Sequence, residues 1–335
     1  MRKIRFIIAC LLGLFGGSLW CHAAPIADTL HTTYVINTNF VPLHVVSVTA
    51  GGGLHTLMPK LTETGVATKG LYSNLGAGAQ IQGTYTFFFH KYVGVTGGVG
   101  FSLSTGGMRG AFKDSIRFTN GQYSGESDGS NPQTSSGYMY FDYTDFHESE
   151  QLYTLDIPVG VTGRVSLTDR WMLRGTVGLG MSVVIYSHYK GDGQLTTTSD
   201  WDALNLHIDD DLPQHGFSRY FLGGYKGKFG NTNLLNMFVF GDFGAHYQYN
   251  KRIGFYAGVY FSYNVFNNLK PSTNELIFFH DTQDFITNPD DYQNYVYGGM
   301  MNSKFVEKIT PLQVGLKFGV TFTWLDPVKC NCEDR

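Results

Sequence analysis

Residues 92–104 read YVGVTGGVGFSLS. Val93, Val95, Val99, Phe101 and Leu103 share one parity, and Gly94, Thr96, Gly98, Gly100 and Ser102 share the other. Successive side chains of a strand leave opposite faces, so this alternation describes a ribbon with one bulky apolar face and one small polar face. Seven further segments repeat it. Strands are expected at about 43–57, 74–89, 91–104, 151–166, 171–188, 236–249, 253–266 and 311–324. In the fifth, Trp171, Leu173, Val177, Leu179, Met181, Val183 and Ile185 lie opposite Arg174, Thr176, Gly178, Gly180 and Ser182. In the seventh, Ile253, Phe255, Ala257, Val259, Phe261, Tyr263 and Val265 mark the apolar parity.

The connections decide the architecture. Short polar turns, His90-Lys91, Thr168-Asp169-Arg170 and Asn250-Lys251-Arg252, alternate with long stretches at about 58–73, 105–150, 189–235 and 267–310. This is the layout of an all-β, eight-stranded antiparallel up-and-down transmembrane β-barrel with short periplasmic turns and four long extracellular loops. With eight strands, both termini fall on the periplasmic side. A soluble sandwich or lipocalin-like barrel also alternates, but it places bulky residues in its core and Lys and Glu outside. Here the face opposite the bulky one is mostly Gly, Ser, Thr, Gln and Asn, which suits the narrow interior of an eight-stranded barrel in lipid. Phe87, Phe89, Tyr92, Trp171, Tyr247, Tyr249 and Trp324 sit near strand ends, where rings with a polar edge form an interfacial girdle.

Only 15% of the 335 residues are charged, and 42 are glycine. The start, Arg2, Lys3 and Arg5 before IIACLLGLFGGSLW and CHAA, reads as a secretory signal peptide cut after Ala23. An acylated Cys21 is disfavoured by the bulky Trp20 before it. The expected organisation is signal peptide 1–23, N-terminal periplasmic segment 24–42, barrel 43–324 and periplasmic tail 325–335. Loss of the signal removes three cations and leaves 21 basic against 27 acidic residues, a net charge of −6. That balance argues against nucleic acid as a partner. Cys330 and Cys332 are the only cysteines left, so no disulfide framework is available. They are read as tail residues, with a contact point for a partner as the functional alternative.

Two stretches resemble known families. KFGVTFTW, residues 317–324, carries Lys317, Gly319, Phe322 and Trp324 in a spacing similar to the last-strand signal that outer-membrane barrels present to their insertion machinery. LYTLDIPVGVTGRVSL, residues 152–167, resembles the Leu-x-Ile-Pro strand of an outer-membrane β-barrel family common in Bacteroidota, of OmpA/OmpX-like eight-stranded design. The resemblance implies an outer-membrane location, the bilayer and lipopolysaccharide as surroundings, and no common enzymatic activity or cofactor. Some members of that family assist secretion or surface assembly. The chain departs from OmpA-type proteins after Trp324, where LDPVKCNCEDR is too short for a peptidoglycan-binding domain.

Continued alternation places Asp156, Arg164, Arg174, Asp242, His246 and Lys317 on the lumen face, as the cost of a lipid-facing charge requires. Asp156, Arg164, Arg174, Asp242 and Lys317 are expected to form an ion-pair network that plugs the barrel; a narrow gated ion path is the alternative. Catalysis finds little support. Ser187 and His188 are adjacent and point to opposite faces, and His246 stands four residues from Asp242, roughly 13 Å along a strand. His44 and His55 have no neighbouring nucleophile that the sequence identifies. The loop segments GESDGSNPQTSSGYMYFDYTDFHESE and DWDALNLHIDDDLPQHG mix Tyr, Asp, Ser and Gly, a composition suited to surface contacts. Asp209, Asp210 and Asp211 lack the spaced ligands of a calcium loop. The functional expectation is therefore a non-catalytic envelope barrel with a structural, secretion or surface-assembly role. Its partners would meet the loops or the tail.

Overall fold

In the computed structural model, which describes residues 43–62, 70–118, 137–201, 205–209, 219–230, 232–270, 272–279 and 295–325, eight strands close into a ring. They are β1 (Leu43–Thr56), β2 (Ala77–Phe88), β3 (Val93–Phe118), β4 (Gly137–Ser166), β5 (Trp171–Trp201), β6 (Leu235–Gln248), β7 (Ile253–Asn264) and β8 (Leu312–Leu325). Each runs antiparallel to the next, and β8 returns to β1 in a ladder from Leu43 opposite Leu325 to Thr56 opposite Leu312. Closure pairs the backbone of every strand on both sides, the condition for a sheet to exist in hydrocarbon. The expected signal peptide, the segment 24–42 and the tail from residue 326, with Cys330 and Cys332, lie outside the described residues.

Two of the three tight turns show the local chemistry directly. Asn250 Oδ1 accepts the amides of Arg252 at 2.9 Å and Ile253 at 2.8 Å, and Thr168 Oγ1 accepts the Trp171 amide at 3.1 Å. These side chains mimic a backbone turn and reverse the strand in a few residues.

Around the barrel the bulky parity faces outward. Val48, Ile81, Val95, Val99, Val161, Leu179, Phe243, Val259 and Phe318 are all exposed, and together they form a continuous apolar belt. Rings edge it at the short-turn end: His44 stacks on Trp324 at 5.8 Å, and Trp171 meets Tyr247 at 4.9 Å. At the other end Phe101, Tyr153 and Tyr186 form a chain of contacts at 6.1 and 5.8 Å. An uninterrupted apolar belt between two rings of aromatics is a surface solvated by acyl chains.

Three strands do not stop at the belt. β4 and β5 run for 30 and 31 residues, about three times the length that a membrane crossing needs. Much of the expected loops 105–150 and 189–235 is therefore strand, continuing β3 to Phe118, starting β4 at Gly137 and carrying β5 to Trp201, with Arg219–Gly227 paired along β5. The cause is a change of phase. A bulge between Thr144 and His147, with Asp145 at φ 52°, and another opposite Tyr153-Thr154 switch which parity points inward. Beyond them the pattern inverts: Met139, Phe141 and Tyr143 are buried while Tyr138 and Tyr140 are exposed. The long-loop end is thus an ordinary water-facing β structure with an apolar core. That core includes Leu57, Met108, Phe112, Phe146, Leu195, Met300, Met301 and Phe305.

Candidate functional site

Asp156, Arg164, Arg174, Asp242 and Lys317 all lie on the inward parity, and the structure sorts them into layers, while Phe322 and Trp324 of the last strand face outward. Only two of the five meet as an ion pair. Lys317 Nζ lies 2.8 Å from Asp242 Oδ2, with the two side chains 8% and 9% exposed. Tyr256 donates to the other Asp242 oxygen at 2.9 Å, so the carboxylate is held from two sides.

Asp156 takes hydroxyls where a cation was expected. Ser102 at 2.7 Å, Ser182 at 2.8 Å and Thr154 at 3.0 Å all donate to it, one each from β3, β5 and β4. Gln313 extends this layer by donating to Ser102 at 3.2 Å and Ser104 at 3.3 Å. Arg174 likewise donates to Ser47 at 3.2 Å and Thr86 at 2.9 Å. From Thr86 a belt of hydroxyls runs through Thr96 and Thr162 to Thr176, joining four consecutive strands.

Arg164 stands directly across the ladder from Arg174, and like charges in that position repel. The two part. Arg174 crosses the lumen, while Arg164 turns to the short-turn rim, donates to the Lys91 carbonyl at 2.9 Å and lies over the Phe88 ring at 4.1 Å.

The histidines and the serine considered for catalysis have other work. His246 Nε2 is 2.6 Å from Thr321 Oγ1. His44 bonds the Tyr85 hydroxyl at 2.6 Å in the girdle, and His55 bonds Tyr260 and the Leu103 carbonyl. Ser187 donates to the Phe229 carbonyl at 2.6 Å, and His188 stacks outward on Tyr186. Of the acidic run only Asp209 is among the described residues, and it is exposed. Among the described residues no group of three or more His, Cys, Asp or Glu side chains is placed to hold a metal ion.

Little space remains in the lumen. The cavities around Asp242 and Lys317 measure about 20 and 30 Å³, room for one or two waters each. A pocket of about 150 Å³ sits at the short-turn mouth between Arg164, Arg174, His246 and Lys251. Glycine helps to fill the barrel from the other side. A Cβ at Gly180 would fall 2.2 Å from the Phe238 ring, which occupies the lumen at that height. Above this level lies the apolar core of the long-loop end.

Sequence reasoning missed two sets of residues. The hydroxyl belt was invisible because Thr and Ser on an inward parity look alike whether or not they touch. The pair Glu148 and Glu150 and much of the apolar core lie in long connections that a single fixed phase reads as loop; the alternation Phe146, Glu148, Glu150, Leu152 is the available signal.

The chain matches no family model and no curated protein sequence. Among solved structures it is similar to OprG of Pseudomonas aeruginosa, at 9% identity over 85% of this chain and 96% of that one, with a TM-score of 0.36. It is also similar to the outer-membrane protease OmpT of Escherichia coli, at 10% identity over 89% and 99%, with a TM-score of 0.33. For Ail, the attachment invasion locus protein of Yersinia pestis, the values are 8%, 85%, 100% and 0.28. The barrel itself rests on the strand ladder.

Proposed function

We propose that this protein is an integral outer-membrane barrel with a sealed lumen, long loops outside and short turns in the periplasm, which works through its long-loop end as a non-catalytic envelope component. The observation that carries this reading is the filled interior. From the short-turn side to the long-loop side the lumen is crossed by Arg174, the Lys317–Asp242 pair, the hydroxyl cage of Asp156 and then an apolar core. A barrel closed at every level holds shape; it does not move solutes. Strand extension supports the second half of the reading, because β3, β4 and β5 raise a structured platform beyond the belt, with Tyr138 and Tyr140 exposed on its outer face. Rigid strands that carry exposed aromatics make a recognition surface at low entropic cost. A role in secretion or surface assembly, through this platform or through the tail with Cys330 and Cys332, follows as the working assignment.

Planar-bilayer recording of purified protein tests the sealed lumen. No steady conductance is expected; a stable open level abolished by Lys317→Ala or Asp242→Asn would favour a gated pore. Crosslinking in intact membranes tests the platform. An envelope protein joined through residues 138–142 is expected, whereas crosslinks confined to the tail would move the partner site to the periplasm.

A further inference from the structure

Glu148 and Glu150 share the inner face of β4 beyond the apolar belt, and both are buried, Glu150 completely at 0% exposed. Gly106 and Met108 oppose them on β3, and Tyr189 and Gly191 on β5. Both oxygens of Glu148 accept the Met300 amide, at 2.9 and 3.1 Å. That amide opens a single 3₁₀ turn, Met300–Asn302, which is entered through Gly299 at φ 83°. A Cβ at Gly299 would lie 2.5 Å from the Tyr189 ring, so the turn is seated hard against the wall.

Among the described residues the Glu150 oxygens find no donor. The polar side chain facing them is the Glu148 carboxyl, which has no proton to offer as an anion. The other titratable groups around the pair are phenols: Tyr143 on β4, Tyr189 on β5, Tyr225 on the strand Arg219–Gly227, and Tyr297 just before the turn. Asp192, on β5, adds negative charge near Tyr225. Among the described residues no Lys, Arg or His forms an ion pair with either carboxyl. Two buried anions side by side with no cation would be expelled or neutralised. A single proton between them removes one charge and creates an O–H···O bond.

We propose that Glu148 and Glu150 bind one shared proton, and that this proton latches the segment 298–305 to the inner wall and keeps the long-loop end closed. The seated turn carries Met300 and Met301, and Phe305 follows it; all three are part of the apolar core, so release would open that core to water. Burial raises both carboxyls above the ordinary glutamate range. The released state loses its protons near the ordinary value of about 4.3, while the latched state keeps one to higher pH. The latch is therefore strongest in acid. It weakens as pH rises through the window between the ordinary and raised values, by about tenfold per pH unit for one proton.

Hydrogen exchange followed by mass spectrometry on the full chain in lipid nanodiscs tests this, with exchange times scaled to the intrinsic rate at pH 5, 7 and 9. Peptides covering 295–309 should lose protection at least tenfold between pH 5 and 9, while those from β6 and β7 stay constant. Glu150→Gln keeps a donor for Glu148 and leaves it as the one acid of the pair, so the loss of protection between pH 5 and 9 should be markedly smaller than in the wild type. A flat wild-type profile, or the same fall in Glu150→Gln, would overturn the proposal. Should that variant fail to insert, infrared spectra of wild-type protein with ¹³C-labelled glutamate decide. A protonated-carboxyl C=O band is expected at pH 7, and its absence refutes the shared proton.

Discussion

Lys317→Met isolates the ion pair at the centre of the lumen. At 2.8 Å, with both side chains more than nine-tenths buried, the attraction is about 6 kcal/mol for an effective dielectric near 20. Dehydration of the two groups offsets most of this, so the pair itself stabilises little. Removal of one partner is different, because Asp242 then stays buried as an uncompensated anion, at a typical cost of about 3–5 kcal/mol. Tyr256 still donates to Asp242, and Arg174 still lies nearby, which puts the expected loss at the lower end, about 3 kcal/mol. The double variant Lys317→Met with Asp242→Asn keeps an acceptor for Tyr256 and removes both charges. It should return to within about 1 kcal/mol of the wild type. Urea unfolding in micelles, followed through tryptophan fluorescence, measures all three. A single variant within about 1 kcal/mol of the wild type, or a double variant that loses the sum of the two singles, would show that Asp242 does not depend on Lys317.

Four further substitutions probe other levels. Leu179→Arg puts a cation on the belt and should cost about 2–4 kcal/mol in the same assay, whereas Gln194→Arg, exposed on β5 beyond the belt, should change stability by less than about 0.5 kcal/mol. Phe112 stacks on Tyr143 at 4.2 Å in the apolar core, so Phe112→Ala should cost about 3–5 kcal/mol, read as raised exchange in peptides from 105–118 and 137–150. At Gly319 a Cβ would fall 2.4 Å from the Val48 carbonyl, so Gly319→Ala must displace β1 and should lose about 1–3 kcal/mol; unchanged stability would show that the β1–β8 closure has slack.

Within the belt the fold was legible because two solvents act on the two faces of each strand. Lipid outside and a narrow lumen inside force a strict bulky/small alternation, and the ends of β1, β6, β7 and β8 lie within two residues of their sequence-based expectation. Beyond the belt water replaces lipid, the apolar face turns inward, and the bulges near Asp145 and Val184 shift the parity. Period-2 reasoning with one fixed phase reads such a stretch as loop, which is why β3, β4 and β5 are longer than expected. The inner face of the site was legible in the same way. Parity placed Asp156, Arg164, Arg174, Asp242 and Lys317 in the lumen, but partner choice depends on neighbours brought in by register: three hydroxyls reach Asp156, and one carboxylate reaches Lys317. Net charge and spacing along one strand hold no information about that.

Acyl chains solvate the outer parity of the eight closed strands. Spin labels placed singly at Val95, Leu179 and Val259, in protein reconstituted into bilayers, measure it through relaxation by oxygen and by a water-soluble nickel chelate. High oxygen and low nickel accessibility are expected at all three sites, with the opposite balance at Gln194. Nickel accessibility at Leu179 and Val259 equal to that at Gln194 would contradict it.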